Sequence, residues 1–333
     1  MQRDQGVPQP RLLHIEADYS PAVSKTEPWV DLRSIRIDEY LQARSLAVKT
    51  QKAYRQDLQH FLRWTDKAWS AVTARQIAQF KTHLVRKEEG QRVLSDATVK
   101  RILGTMKAFY GWLWRCGYVD RDPTIEVQLP KLAEPEADNL SDEQVEKILA
   151  AVAGTKLCDR NLALFAVLQH GIRAEAATLL NVGDFDGQRL WVRQDKGGSK
   201  GVVPLDEEGV QKIQAYLGWR MSQGEVLLPE SPLFVSASRR NRGARIGYDT
   251  IDKLVCQLRD ITGIDFHAHQ FRHTYATNLV LDGMNPYHVM TLTRHKSVQS
   301  FRRYTKAADQ QAAEAAFYET KRRKRKTEPG SEQ

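Results

Sequence analysis

A proline-rich interruption at residues 120–139 divides the helical pattern of this chain into two blocks. The stretch DRDPTIEVQLPKLAEPEADN contains three prolines and mixed charge, and it breaks the helical period on either side of it. Because proline lacks a backbone N–H and disrupts a helix interior, such a stretch joins elements rather than extending one. We therefore predict two domains with a linker at residues 128–139, which suits a chain of 333 residues.

The block at residues 29–127 has helical spacing throughout. In KTQKAYRQDLQHFLRW the apolar residues fall near one face, TARQ at 73–76 is a possible capping box, and Ser95 precedes a third apolar pattern that ends at Gly117. These signals predict a small domain of about four helices. Residues 1–28 contain four prolines and little periodicity, so we expect a flexible N-terminal arm.

The block at residues 140–320 begins with a second capping box, SDEQ at 141–144. Its helical patterns surround one β region, in which a DG turn precedes QRLWVRQ and the glycine-rich KGGSKG precedes VVPL. Asn285 followed by Pro286 predicts another helix start. The expected fold class is mostly α with a small antiparallel β-sheet, and we predict a basic disordered tail at residues 321–333.

Positive charge points to a polyanionic partner. The chain has 50 lysines and arginines against 41 acidic residues, a formal net charge of +9. The basic residues cluster in SRRNRGARIG, FRRY and KRRKRK, and this clustering favours nucleic acid over the simpler interpretation of a mildly basic soluble protein. The candidate DNA contacts are Lys200, Arg239, Arg240, Arg242, Arg245, Arg294, Arg302 and Arg303.

Cysteine usage and hydropathy indicate the compartment. Cys116, Cys158 and Cys256 lie far apart without a CxxC pair, which argues against a disulfide framework and fits a reducing cytoplasm. The apolar run LALFAVL is far too short to cross a bilayer, and the N-terminus has no stretch typical of a secretory signal. We expect a cytoplasmic protein without a membrane partner.

Several side chains are suited to phosphate chemistry. His269 and Arg272 are three residues apart, so on a helix they share a face and could grip one phosphate. Lys196, in the glycine-rich turn, could give a proton to a leaving oxygen. Tyr304 follows two arginines and lies nine residues after His295. A phenol with an ordinary pKa of about 10 needs such cations nearby to act as a nucleophile.

Each of these signals also has a simpler interpretation. His269 and Arg272 could lie on a polar helix face, and a lysine in a hairpin turn is commonly solvent-exposed. Arg173 follows the end of an apolar helix and could be a second phosphate clamp, or it could simply pair with Glu175 or Asp184. Histidines at 267, 269 and 273 also suggest a metal site, but no cysteine lies nearby, and we disfavour that interpretation.

Taken together and in chain order, these residues resemble the tyrosine recombinase family of phage integrases and Xer-type resolvases. HGIRAEAATLLNVGDF is similar to the family's first arginine box, and DKGGSKGVVPL is similar to its hairpin, G-K-G-x-K-x-R-x-V-P-L. HAHQFRHTYATNLVLDGMNPYHVMTLTRHKSVQSFRRYTK resembles the second box, H-x-L-R-H, followed by L-G-H and the nucleophilic tyrosine. The resemblance spans residues 141–306, and residues 29–127 are similar to the family's core-binding domain.

The resemblance implies a two-domain, site-specific DNA recombinase that cleaves and rejoins strands through a 3′-phosphotyrosyl intermediate. Tyr304 is then the nucleophile, Arg173 and Arg272 hold the non-bridging oxygens, and Lys196 protonates the leaving 5′ oxygen. His269 assists proton transfer, and His295 donates a hydrogen bond to the phosphate. The partners implied are double-stranded DNA and three further copies of the chain, as a tetramer on paired sites, with no metal or other cofactor.

The chain departs from the family pattern at three places. Ala176 stands where the family has an acidic residue, with Glu175 one position earlier. Arg294 replaces the glycine of L-G-H, and the hairpin lacks its arginine because Gly201 is followed directly by VVPL. The Ala176 and Arg294 changes keep open a catalytically weak or inactive DNA-binding regulator. A further alternative is a relaxing enzyme like the type IB topoisomerases, which would have the same chemistry but no choice of site. The separate helical domain favours recombination at chosen sites.

Overall fold

The computed structural model describes residues 31–86, 94–132, 138–193 and 198–327. The chain divides into two compact units, unit 1 (Met1–Ala133) and unit 2 (Glu134–Gln333). The predicted arm at residues 1–28 and part of the predicted linker lie outside the described residues. No described helix combines the length and the hydropathy needed to span a bilayer.

Unit 1 is a small helical bundle. The α-helices among its described residues are α1 (Leu32–Gln42), α2 (Val48–Trp64), α3 (Ala74–Val85) and α4 (Asp96–Arg115). Both hydrogen bonds of the predicted capping box at 73–76 form at the start of α3, and the Ser95 side chain accepts from the backbone of Thr98 at the start of α4. These caps confirm the two helix starts expected from the sequence.

The core of unit 1 is rich in aromatic side chains. Helix α4 contributes the apolar residues of the pattern that follows Ser95, and all of these are fully buried: Val99, Ile102, Leu103, Met106, Phe109, Tyr110 and Leu113. One charge lies among them, because Asp57 of α2 is 1% exposed. Its carboxylate accepts from the Arg101 guanidinium and, at 2.9 Å, from the Thr105 hydroxyl.

Unit 2 is mostly helical with one two-stranded sheet. Its helices are α5 (Asp142–Ala153), α6 (Cys158–Gln169), α7 (Ala174–Leu179), α8 (Glu207–Ser222), α9 (Tyr248–Thr262), α10 (Ala268–Leu281), α11 (Pro286–Thr293) and α12 (Val298–Thr327). Strands β1 (Arg189–Val192) and β2 (Gly201–Pro204) pair antiparallel, with Arg189 opposite Pro204 and Val192 opposite Gly201. The predicted fold class is confirmed.

Helix α6 lies at the centre of unit 2. It packs against α5, α8 and α10, and its run from Ala163 to Leu168 is buried on every side. An apolar helix of this kind belongs inside a core rather than on its surface. The segment that follows α6 is thereby fixed in place, and it carries Arg173.

The start of α11 and the end of α12 can also be compared with the sequence predictions. Asn285 caps α11 and Pro286 occupies its first turn, as the sequence predicts. Helix α12 runs on to Thr327, so residues 321–327 are helical where we predicted a disordered tail. The reason is local: from Val298 to Thr327 the sequence contains neither glycine nor proline and is rich in good helix formers.

Candidate active site

Arg272 is the most deeply buried cation of the site. Helix α10 places it inside unit 2, where it is 1% exposed. Its Nη1 donates to the Gly171 carbonyl at 2.6 Å, and its Nη2 donates to the Thr293 carbonyl. The planar guanidinium therefore ties the segment after α6 to the end of α11.

The turn at Gly171 sets the position of Arg173. Gly171 has a φ of 73°, and a Cβ added there would lie 2.6 Å from Cδ1 of Tyr275. Both the backbone conformation and the close approach of the ring require glycine. Arg173 follows two residues later as the half-buried N-cap residue of α7. The Gly171 carbonyl accepts from Arg272, which keeps this turn next to α10, and the charge of Arg173 acts to lower the pKa of His269, His295 and Tyr304.

His295 is oriented by the end of α11. Arg294 adopts a left-handed conformation with φ 56° and ψ 42°, and the His295 N–H then donates to the Met290 carbonyl at 2.9 Å. This is the helix ending that glycine usually provides. The Thr293 hydroxyl donates to the Val289 carbonyl at 2.6 Å and lies 2.6 Å from Nδ1 of His295. The threonine oxygen therefore accepts from Nδ1–H of the histidine.

Tyr304 lies at the meeting point of these elements. It belongs to a small apolar cluster with Phe301 and is 1% exposed. Its ring centroid is 5.3 Å from the His273 ring and 5.3 Å from the His295 ring. Burial raises the pKa of the phenol, and the charges of Arg303, Arg272 and Arg173 oppose that rise.

The imidazoles of the site are neutral at pH 7. Desolvation is the main cause and neighbouring positive charge adds to it, so that the pKa of His269 and that of His273 fall to about 4 and that of His295 falls to about 3. Arg272 contributes to all three shifts. A site that resists further positive charge in this way is suited to an anion.

Five of the six predicted catalytic residues come together here, from four separate segments of the chain: Arg173, His269, Arg272, His295 and Tyr304. Lys196 lies outside the described residues. In the part of the chain that the structure describes, no group of three or more His, Cys, Asp or Glu side chains is placed to hold a metal ion.

His273 belongs to the site, although the sequence did not assign it a role. Its ring centroid is 4.7 Å from that of His269 and 5.3 Å from that of Tyr304. The side chain is 6% exposed, and neither ring nitrogen has a hydrogen-bond partner among the described residues. The signal was its spacing, because residues four apart on a helix are neighbours and His269 precedes it by four.

The predicted DNA contacts fall into two groups. Five of them are exposed: Lys200, Arg239, Arg240, Arg242 and Arg302. The other three are partly or fully buried, and their guanidinium groups lie against backbone carbonyls or an aromatic ring of the protein: Arg245, Arg294 and Arg303.

Arg245 and Arg294 hold backbone, and Arg303 lies against the tyrosine. Arg245 donates to the carbonyls of Thr178 and Leu180 at 2.9 and 2.7 Å, so it satisfies the end of α7 rather than facing outward. Arg294 is 6% exposed. The Arg303 guanidinium lies 5.7 Å from the centroid of the Tyr304 ring.

Comparison with known proteins gives a family match for each of the two units. Residues 138–311 match the phage integrase family, and residues 36–117 match the phage integrase N-terminal SAM-like domain. The chain is 30% identical to tyrosine recombinase XerD of Pseudomonas aeruginosa over 284 residues, which covers 82% of this chain and 92% of that relative.

Solved structures share the fold at lower identity. One is a lambda integrase dimer bound to a COC′ core site, with a TM-score of 0.65 and 19% identity over 81% of this chain and 94% of that one. Another is a lambda integrase tetramer bound to a Holliday junction, with a TM-score of 0.62 and 19% identity over 79% of this chain and 77% of that one.

Proposed function

The chain belongs to the phage integrase family and is a tyrosine-type site-specific DNA recombinase, and on that premise we propose that Tyr304 is the residue that attacks the DNA backbone. One observation carries this assignment. Tyr304 lies between two histidine rings and within the field of three arginines, and of these residues Arg173, Arg272 and His273 are distant from it in the chain. Such a cluster stabilises the phenolate and the phosphate together.

The first chemical step forms a covalent link to DNA. The Tyr304 oxygen bonds to phosphorus, the bond from phosphorus to the 5′ oxygen breaks, and a 3′-phosphotyrosyl link results. His269 accepts the phenol proton, since it is neutral at pH 7 and on the same face of α10 as Arg272. Lys196, which lies outside the described residues, gives a proton to the departing 5′ oxygen.

Arg173 and Arg272 stabilise the extra negative charge of the transition state. Arg272 is already fixed by the Gly171 and Thr293 carbonyls, so its fork does not have to reorganise during the reaction. His295 presents Nε2 to the phosphate because Nδ1 is held by Thr293. Donating from Nε2 requires the charged imidazole, and a bound phosphate supplies the negative charge that raises its pKa.

The second step reverses the first on a new strand. A 5′ hydroxyl from the partner strand attacks the phosphotyrosyl link, and Tyr304 leaves as the phenol. The energy of the broken bond is kept in the link, so the exchange needs no nucleotide hydrolysis. Tyr304 is 1% exposed, so its attack on DNA requires a movement of α12, the helix that carries it.

Double-stranded DNA is the substrate, and the exposed basic residues Lys200, Arg239, Arg240, Arg242 and Arg302 contact its phosphates. Exchange between two sites engages four protomers, and the relative that is bound to a Holliday junction is itself a tetramer. We place the protein in the cytoplasm, which the three free cysteines support.

Capture of a covalent DNA adduct tests this function. The protein is expressed beside its native flanking DNA, the sample is denatured, and DNA that stays attached to protein is recovered and sequenced. We expect adducts from the wild type and none from Tyr304→Phe, with 3′ ends at defined positions that identify the site.

Two other outcomes identify the alternatives. DNA binding without any adduct indicates the inactive regulator. Relaxation of a supercoiled plasmid that lacks the flanking sequences indicates the topoisomerase-like enzyme.

A further inference from the structure

Two of the chain's departures from the family pattern are in contact with each other. When DKGGSKGVVPL is aligned letter by letter with G-K-G-x-K-x-R-x-V-P-L, Gly201 stands at the family's arginine. Arg294 stands at the glycine of L-G-H. A Cβ added to Gly201 would lie 3.0 Å from Cδ and 3.1 Å from Cγ of Arg294. The stem of the arginine thus occupies the space that a side chain at position 201 needs.

The backbone does not explain either residue. Gly201 begins β2 opposite Val192 and is not among the residues with positive φ, so an ordinary side chain suits its conformation. Arg294 is the reverse case, because φ 56° favours glycine and it is the one non-glycine residue with positive φ in the described ranges. Position 294 therefore carries an arginine although its backbone conformation favours glycine. Position 201 carries a glycine although its backbone conformation accepts any residue.

The guanidinium of Arg294 explains this arrangement. It donates from Nη1 to the Leu292 carbonyl at 2.8 Å and from Nη2 to the Gly171 carbonyl at 3.4 Å. The same Gly171 oxygen accepts from Arg272. Arg294 thereby joins three segments: the start of β2, the turn that leads to Arg173, and the end of α11 that leads to His295.

We propose that Arg294 is a positioning residue that holds the Arg173 turn and His295 against the hairpin, and that it does so only because residue 201 is glycine. The proposal rests on the catalytic roles of Arg173 and His295 given above. It assigns Arg294 to the protein interior rather than to DNA, and it makes positions 201 and 294 a coupled pair in which only one can carry a long side chain.

Cleavage kinetics test the positioning role. The rate of phosphotyrosyl formation on saturating DNA and the DNA affinity are measured for Arg294→Gly, Gly201→Arg and the double variant Gly201→Arg/Arg294→Gly. We expect each single change to slow cleavage by about 10- to 100-fold with little change in affinity, since small displacements of positioning groups have effects of this size. We expect the double variant to cleave faster than Gly201→Arg alone. Additive losses, or a fall in affinity without a fall in rate for Arg294→Gly, would overturn the proposal.

A second cycle tests the coupling without relying on activity. Gly201→Ala should lower the melting temperature in the wild-type background and leave it unchanged beside Arg294→Gly, because the clash is with the arginine stem. Gly218→Ala is the control for a glycine with free space around it, since nothing lies within 4 Å of a Cβ there. It lies inside α8, so the change should raise the melting temperature through helix propensity, and by the same amount in both backgrounds. An equal effect of Gly201→Ala in both backgrounds contradicts the coupling. Absence of adducts from the wild type would instead count against the proposed function, and the melting cycle would still decide the coupling.

Discussion

Buried charged side chains have different hydrogen-bond partners in the two units. In unit 1 the buried carboxylate of Asp57 meets a guanidinium and a hydroxyl, so its charge is compensated. In unit 2 Arg272 and Arg294 are also buried, and they donate to backbone carbonyls, which orient the guanidinium groups. The comparison teaches that a compensated buried charge supports the fold, whereas oriented cations beside a tyrosine form a site for an anion.

Among the arginine substitutions, Arg272→Lys gives the largest expected effect. Lysine keeps the positive charge but loses the planar fork, so we expect phosphotyrosyl formation to slow by about 10²- to 10³-fold. Single-turnover cleavage on saturating DNA measures it. Arg101→Lys in unit 1 is the matched control and should leave the rate unchanged. Equal rates for wild type and Arg272→Lys would remove Arg272 from the transition state.

Asp57→Ala should change stability and not chemistry. The substitution leaves Thr105 and Arg101 without their carboxylate, and we expect the free energy of unfolding of unit 1 to fall by about 1–3 kcal/mol. Urea denaturation measures the loss, and cleavage by the protein that remains folded should be unaffected. A slower cleavage step with unchanged stability would contradict the distinction between the units.

The helices and most of the site follow from the sequence for clear physical reasons. The inward face of α4 follows from helical periodicity, and the starts of α3 and α5 follow from their capping boxes. The catalytic residues were predicted from the order of several weak motifs, which the resemblance combined into one pattern.

The sequence did not reveal contacts between residues that are far apart in the chain. Charge pattern shows that Arg245 is basic but not that the end of α7 uses its donors. The contact of Arg294 with Gly201 depends on how α11 packs on β2, which no local signal records. The burial of Tyr304 likewise depends on tertiary packing against α10 and α11.

The pH dependence of stability should separate His273 from ordinary histidines. The pKa of His273 is about 4 in the folded protein and 6.5 by default in an unfolded chain. Between pH 4 and 6.5 the unfolded chain binds a proton at this histidine that the folded protein does not bind. The contribution of His273 to the free energy of unfolding is therefore fully present above about pH 6.5 and is lost as the pH falls towards 4. Urea denaturation at pH 7, 6 and 5 should show a smaller loss for His273→Gln than for the wild type. Identical pH dependence in the two proteins would mean that His273 titrates normally.

The smallest effects on DNA binding and stability should come from substituting the exposed Arg240 and the partly buried Arg245. Arg240→Ala should weaken DNA binding a few-fold and reduce the slope of log affinity against log salt by about 1, since one phosphate contact is lost. Arg245→Ala should instead lower the melting temperature and keep the wild-type slope, because its donors serve α7. Binding titrations at several salt concentrations measure the slopes, and a reduced slope for Arg245→Ala would reassign that arginine to DNA.

The central claim is that the oriented cations of unit 2 serve Tyr304, and mass spectrometry of a trapped adduct tests it most directly. Wild-type protein is reacted with a nicked DNA carrying its flanking sequence, digested with nuclease and protease, and searched for a tyrosine that carries a nucleotide. We predict the modification on the peptide that contains Tyr304, and its loss in Tyr304→Phe. A nucleotide on another tyrosine, such as the exposed Tyr287, would contradict the account.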